Sequence, residues 1–210
     1  MDKPFAIFDM DGTLIDSMTY WERLAEEFLE RKGIQVVSAD LAERIKTMTM
    51  TQSAELFIRE FGLPGTPETV AAEMNDMIDE HYRRDIPLKE GAAEYLKALK
   101  ARGVRMCVAS ATAEHLMEAC LKRLGVLEDF EFLLSCESVG AGKDRPDVYW
   151  KAARRLGSVP AETAVYEDAL YAAQTAKKAG FYVVGVYDEN ASDKWKDLTV
   201  LADETVRSFK

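Results

Sequence analysis

A chain of 210 residues, 48% apolar and 30% charged, with 27 basic against 37 acidic side chains and a net charge of −10, suits one large domain or a domain carrying an insertion. That acidity excludes a basic groove for nucleic-acid polymers and docking on anionic membranes. Cys107, Cys120 and Cys136 form no CxxC pair, and the opening MDKPFAIFDMDG lacks an apolar leader, so a soluble protein of a reducing cytoplasm is expected, without a disulfide framework or cysteine zinc site.

In chain order, the run Phe5 to Phe8 predicts a buried strand. Trp21, Leu24, Ala25, Phe28 and Leu29 then repeat at i, i+3, i+4, which predicts an amphipathic helix. Leu41, Ile45 and Met48 predict a second, and Leu56, Phe57 and Phe61 a third. Thr66-Pro67-Glu68 reads as the start of a fourth, a capping hydroxyl followed by proline. Its face carries Met74, Met77, Ile78, His81 and Tyr82, and Met48, Met50, Met74 and Met77 read as core of this helical stretch.

From Pro87 the pattern alternates. A helix over Ala92 to Ala101 precedes the run Val104-Arg-Met-Cys-Val-Ala109. A helix near Glu114 to Leu124, the run Phe130 to Leu134 and a helix near Asp147 to Leu156 follow. Thr163 to Tyr166, a helix to Ala179 and the run Phe181 to Tyr187 complete the series. Apolar strands alternating with helices predict parallel βαβ units. The expected fold is α/β, a doubly wound, Rossmann-like parallel-sheet core built from residues 1–15 and 88–210. An all-helical insert of residues 16–87 interrupts it. The insert holds 15 acids against 8 bases, whereas the other 138 residues hold 22 against 19.

Ligands of such sheets bind beyond the carboxyl ends of the strands. There the sequence places Asp9-Met10-Asp11-Gly12-Thr13, Ser110-Ala111-Thr112, Lys143 in the loop Gly140-Ala-Gly-Lys143, and Glu167-Asp168. Four carboxylates in one cleft require compensation. Mg²⁺ suits an all-oxygen donor set, and Mg²⁺ with Lys143 returns most of the charge. A carboxylate nucleophile beside a cation and a lysine favours phosphoryl transfer. The spacing around Gly12 fits no EF-hand, and GAGK lacks the other residues of a P-loop. Thr112 reads as the N-cap of the following helix; His81 and His115 read as structural, and the three cysteines as buried thiols.

These residues resemble the motifs of the haloacid dehalogenase superfamily. FDMDGTLIDS resembles the first, hhhDxDGTL, and Val108-Ala109-Ser110 the second. Lys143 with Pro146-Asp147 resembles the third, and YEDALYAAQTAKKAG the fourth. The insert is similar to the small helical cap of the β-phosphoglucomutase-like and phosphoglycolate-phosphatase-like branch. The resemblance implies Asp9 as nucleophile and metal ligand, and Asp11 as general acid and base whose backbone carbonyl touches Mg²⁺. It implies Ser110, Lys143 and Thr13 as phosphate contacts, Asp168 as a direct metal ligand, and Glu167 as a ligand through water. A second acid at Asp11 is the mark of the family's phosphatases.

The sequence departs from the family pattern at Asp144, Ala169 and Ala172, where proline, serine and glycine are usual. Trp21 and Met50 stand where the mutase branch carries a histidine and an arginine, which favours hydrolase over mutase. The resemblance therefore implies a Mg²⁺-dependent phosphatase of a small phosphorylated metabolite: a sugar phosphate, a nucleotide or a glycolate-like acid. Arg23, Arg44 and Lys46 are the candidate contacts on the insert. A phosphosugar mutase and a phospho-aspartate receiver module are the competing readings; the receiver fits poorly with a chain this long. Nothing in the sequence sets an oligomeric state.

Overall fold

The computed structural model describes residues 2–35, 41, 44–45, 48 and 50–210. Residues 42, 43, 46 and 47 of the second expected helix, Lys46 among them, lie outside the described residues. Two compact units emerge, Met1–Ser17 with Ile86–Lys210, and Met18–Asp85. Each division falls two residues from the expected one, because residues 16–17 and 86–89 bond within the first unit. Asp16 N–H donates to the Pro87 carbonyl at 3.0 Å, and Lys89 N–H to that of Leu14 at 2.9 Å.

The first unit is built on six parallel strands in the order β3-β2-β1-β4-β5-β6. They are β1 (Phe5–Phe8), β2 (Arg105–Ser110), β3 (Leu133–Ser135), β4 (Thr163–Glu167), β5 (Tyr182–Val186) and β6 (Glu204–Val206). Strand β1 lies centrally because its side chains are apolar on both faces, and Ala6, Ile7 and Phe8 are fully buried. Phe8 pairs with Val108 on one side and Tyr166 on the other, and its ring stacks on Tyr166 at 4.1 Å. Burying each such side chain contributes about 1.5–3 kcal/mol. After β1 the chain builds outward on one side through β2 and β3, and after β4 on the other. The crevice at the ends of β1 and β4 is therefore the topological switch point.

The connections are helical: α4 (Ala92–Ala101), α5 (Glu114–Arg123), a single turn α6 (Cys136–Val139), α7 (Asp147–Leu156), α8 (Leu170–Lys178) and α9 (Trp195–Leu201). Three differences from the sequence reading have physical causes. Strand β3 begins at Leu133 rather than Phe130, because Leu127–Asp129 forms a 3₁₀ turn and Phe130 packs edge-on against Phe8 at 6.0 Å. Helix α9 and strand β6 were unforeseen because α9 buries only Leu198 and β6 is a three-residue edge strand with no buried side chain.

The second unit contains α1 (Met18–Arg31), α2 (Met50–Phe61) and α3 (Pro67–Arg84) among its described residues. Their stripes meet through Leu24, Phe28, Phe57, Val70, Met74 and Ile78, all buried, with Phe28 and Phe57 stacked at 6.4 Å. Thr66 caps α3 as expected, in a reciprocal pair with Thr69, and Pro67 follows at the first helical position. Met74 and Met77 are core, whereas Met48 is exposed. The ring nitrogens of His81 meet Asp85 at 2.9 Å and Glu27 at 3.1 Å. Trp21 donates its indole N–H to the Tyr82 hydroxyl at 3.1 Å, and Arg44 pairs with Glu60. Among the described residues no helix is long and apolar enough to cross a membrane.

Candidate active site

Parallel register brings the carboxyl ends of β1, β2 and β4 level, so Asp9, Ser110 and Glu167 reach one edge of the sheet. Asp9 N–H still bonds the Tyr166 carbonyl, at 3.0 Å. The chain then turns tightly, the Met10 carbonyl accepting from the N–H groups of Thr13, Leu14 and Ile15. Gly12 makes this turn possible with φ +75°, and a Cβ there would lie 2.6 Å from Asp168 Oδ2. The turn is thus pressed against the end of β4, where only glycine fits.

Two groups of side chains result. In the first, carboxylate oxygens of Asp9, Glu167 and Asp168, all buried, lie within 4.8 Å of one another. Lys143, 6% exposed, pairs with Asp9 and donates to Glu167 Oε1 at 2.7 Å. Thr13 Oγ1 donates to Asp168 Oδ1 at 2.8 Å. Tyr149, on the buried face of α7, donates its hydroxyl to Glu167 Oε1 at 2.7 Å.

Burial dominates the electrostatics. It raises the Asp9 carboxyl to about 7, assisted by the charges of Glu167 and Asp11 and opposed by Lys143. It raises Asp168 to about 7 as well, with Asp9 adding to the effect, and pushes Glu167 up. For Lys143 burial acts the other way, but Asp9 and Glu167 outweigh it and hold the ammonium charged.

The second group surrounds Asp11. Oδ1 accepts from Ser17 Oγ at 2.7 Å, and Oδ2 from Thr112 Oγ1 at 2.5 Å and Ser110 Oγ at 3.4 Å. Thr112 N–H in turn donates to Ser110 Oγ at 3.1 Å. The side chain of Asp11 is therefore held among hydroxyls, apart from the three-carboxylate group.

The structure thus gathers Asp9, Lys143, Glu167 and Asp168 in one place, with Asp11 and Ser110 beside them. Thr13, expected against a substrate, is fully buried, with its hydroxyl on Asp168 and its N–H on the Met10 carbonyl. Thr112 is not the N-cap of α5. That position falls to Ala113, which makes no side-chain cap, and the Thr112 hydroxyl faces Asp11. Ala169, where the family pattern has serine, likewise leaves the start of α8 without a side-chain cap. Sequence reasoning missed Tyr149 and Ser17. Tyr149 sits on the apolar stripe of α7 and is indistinguishable there from a core aromatic. Ser17 lay within the quoted first motif, but no spacing rule points a hydroxyl six residues back along a turn.

Three buried carboxylates and one ammonium leave a formal charge of −2, which one divalent cation neutralises. Among the described residues Glu167 Oε2 is buried without a hydrogen-bond partner, and the donor set is entirely oxygen, which fits a hard cation such as Mg²⁺. The residues present therefore fit the metal that the sequence implies.

The family model for haloacid dehalogenase-like hydrolases matches residues 5–180. A beta-phosphoglucomutase of Bacillus subtilis is 29% identical over 193 residues, 86% of this chain and 81% of that one. Hexitol phosphatase B of Escherichia coli is 27% identical over 179 residues, 83% of this chain and 79% of that one. The crystal structure of a CbbY variant from Rhodobacter sphaeroides with xylulose-(1,5)bisphosphate superimposes with a TM-score of 0.77 at 22% identity, over 99% of this chain and 95% of that chain. This last likeness shows the shared fold.

Proposed function

The chain belongs to the haloacid dehalogenase-like hydrolase family, and from that premise we propose that it is a Mg²⁺-dependent phosphatase releasing inorganic phosphate from a small phosphomonoester through an aspartyl-phosphate at Asp9. The observation that carries this reading is the pairing of a buried Asp9 with Lys143 beside Glu167 and Asp168, while a second aspartate, Asp11, stands two residues away among hydroxyl donors.

An oxygen of the Asp9 carboxylate attacks phosphorus, and the bond from phosphorus to the ester oxygen breaks. Asp11 delivers a proton to that oxygen, which leaves as an alcohol. Lys143 holds the nucleophile in place and offers positive charge to the phosphoryl oxygens, while Ser110 offers them a hydroxyl. Asp9 and Asp168, with Glu167 through water, would hold Mg²⁺, which supplies further positive charge for the transferring group. In the second half, Asp11 takes a proton from water as its oxygen attacks phosphorus. The bond from Asp9 to phosphorus then breaks, freeing phosphate and the carboxylate.

The hexitol phosphatase and beta-phosphoglucomutase among its relatives make phosphorylated sugars and sugar alcohols the substrates to test first, followed by nucleotides and phosphoglycolate. An acidic protein with three buried free thiols suits a reducing cytoplasm. The test is phosphate release across that panel with Mg²⁺, for the native protein and Asp9→Asn. The expected result is release from at least one ester and its loss in the variant. Activity surviving in Asp9→Asn overturns the mechanism. Isomerisation of a β-sugar 1-phosphate to the 6-phosphate without phosphate release moves the assignment to a mutase.

A further inference from the structure

Resting on that reading of the metal site, we propose that Tyr149 is a positioning residue for the divalent cation: its phenol pins Glu167 so that one carboxylate oxygen is left for a hydrated ion. Two donors converge on Glu167 Oε1, Tyr149 Oη and Lys143 Nζ, each at 2.7 Å. The other oxygen, Oε2, is buried with no hydrogen-bond partner among the described residues. A carboxylate has acceptor capacity on both oxygens, so this division is unequal.

A buried polar atom without a partner in a native fold calls for a specific explanation. Here the neighbouring groups narrow it. Asp9 and Asp168 offer ligand oxygens within 4.8 Å, and once ionised a carboxylate has nothing to donate. Lys143 is already engaged by Asp9 and by Oε1. The partner that Oε2 lacks is a cation or a water on that cation.

Tyr149 decides which oxygen is left over. Its ring is fully buried and packs against Phe181 at 6.1 Å, so the hydroxyl has little freedom to move. Without that hydroxyl, Glu167 is free to turn both oxygens toward Lys143. Outer groups of this kind orient metal ligands, and their loss typically weakens binding about 10- to 100-fold.

The experiment is titration of the substrate-free protein with Mn²⁺ as the probe, followed by electron paramagnetic resonance, for the native chain, Tyr149→Phe, Glu167→Gln and the double variant. Tyr149→Phe keeps the ring, and thermal unfolding in EDTA establishes that each variant is folded. The expected result is about 10-fold weaker Mn²⁺ binding in Tyr149→Phe. Because Tyr149 acts through Glu167, removing its hydroxyl in the Glu167→Gln background should add no further loss. Unchanged affinity in Tyr149→Phe, or losses that add in the double variant, overturn the proposal and leave the phosphatase reading standing. Absence of Mn²⁺ binding in the native chain overturns both.

Discussion

Thr112 Oγ1 lies 2.5 Å from Asp11 Oδ2, joining residues 101 positions apart across the ends of β1 and β2. With Ser17 on the opposite oxygen at 2.7 Å, it holds the carboxylate of the proposed acid and base between two hydroxyls. Thr112→Val keeps the branched shape and removes the donor, so turnover in phosphate release should fall about 10-fold, the size of one hydrogen bond to a charged group. KM should change less than about twofold, and Thr112→Ser should restore the rate. An unaltered rate in Thr112→Val would show that the contact plays no part in catalysis.

Gly12 and Gly103 have nearly the same backbone, φ +75° and +78°, but different surroundings. A Cβ at Gly12 meets Asp168 Oδ2 at 2.6 Å, whereas one at Gly103 meets nothing within 4 Å. Alanine at either position costs about 1–2 kcal/mol of backbone strain. Only Gly12→Ala displaces Asp168, so it alone should lower phosphate release, by 10-fold or more. Thermal unfolding and activity measured side by side separate the two effects.

Stability without metal should depend on pH. Burial raises Asp9 and Asp168 from the ordinary 3.8 to about 7, so between about pH 4 and 7 the folded chain binds protons that the unfolded chain has released. Stability then falls as pH rises through that window. A bound divalent cation takes over the compensation that those protons provide. Mg²⁺ should therefore raise the unfolding temperature by several degrees near pH 7.5 and by much less near pH 5, relative to EDTA. Equal shifts at the two pH values count against a cation held by these carboxylates.

The three thiols should be inert in the folded protein. Burial raises Cys107 and Cys136 above the usual thiol range and Cys120 to about 11, leaving little thiolate near neutral pH. Iodoacetamide treatment near pH 7.5 followed by mass measurement should show no alkylation of the native chain and three additions in denaturant.

Much of the fold was legible because burial leaves a periodic trace. The apolar runs Phe5 to Phe8, Val104 to Ala109 and Thr163 to Tyr166 reflect the strands Phe5–Phe8, Arg105–Ser110 and Thr163–Glu167, covered on both faces. The cap at Thr66 was legible because a helix terminus needs a local acceptor. Strand β6 left no trace, since an exposed edge strand of three residues needs neither alternation nor an apolar run. The acidic residues Asp9, Glu167 and Asp168 were legible for a related reason: they stand at the ends of apolar strands, whereas Lys143 lies in a loop beyond β3 and Cys136–Val139 and was picked out by the family resemblance.

The chemistry of the individual atoms was not legible in the same way. Residue order alone shows which residue types stand at the carboxyl ends of the strands, and that a helical segment separates the first motif from the rest. It took the tertiary structure to show that Tyr149, a core aromatic, also bonds Glu167, that Thr13 serves Asp168, and that Thr112 serves Asp11 instead of a helix end. Periodicity assigns a side chain to a face. Its hydrogen-bond partner is set by elements that cross it from 18, 155 and 101 residues away, and that crossing exists only once the sheet is in register.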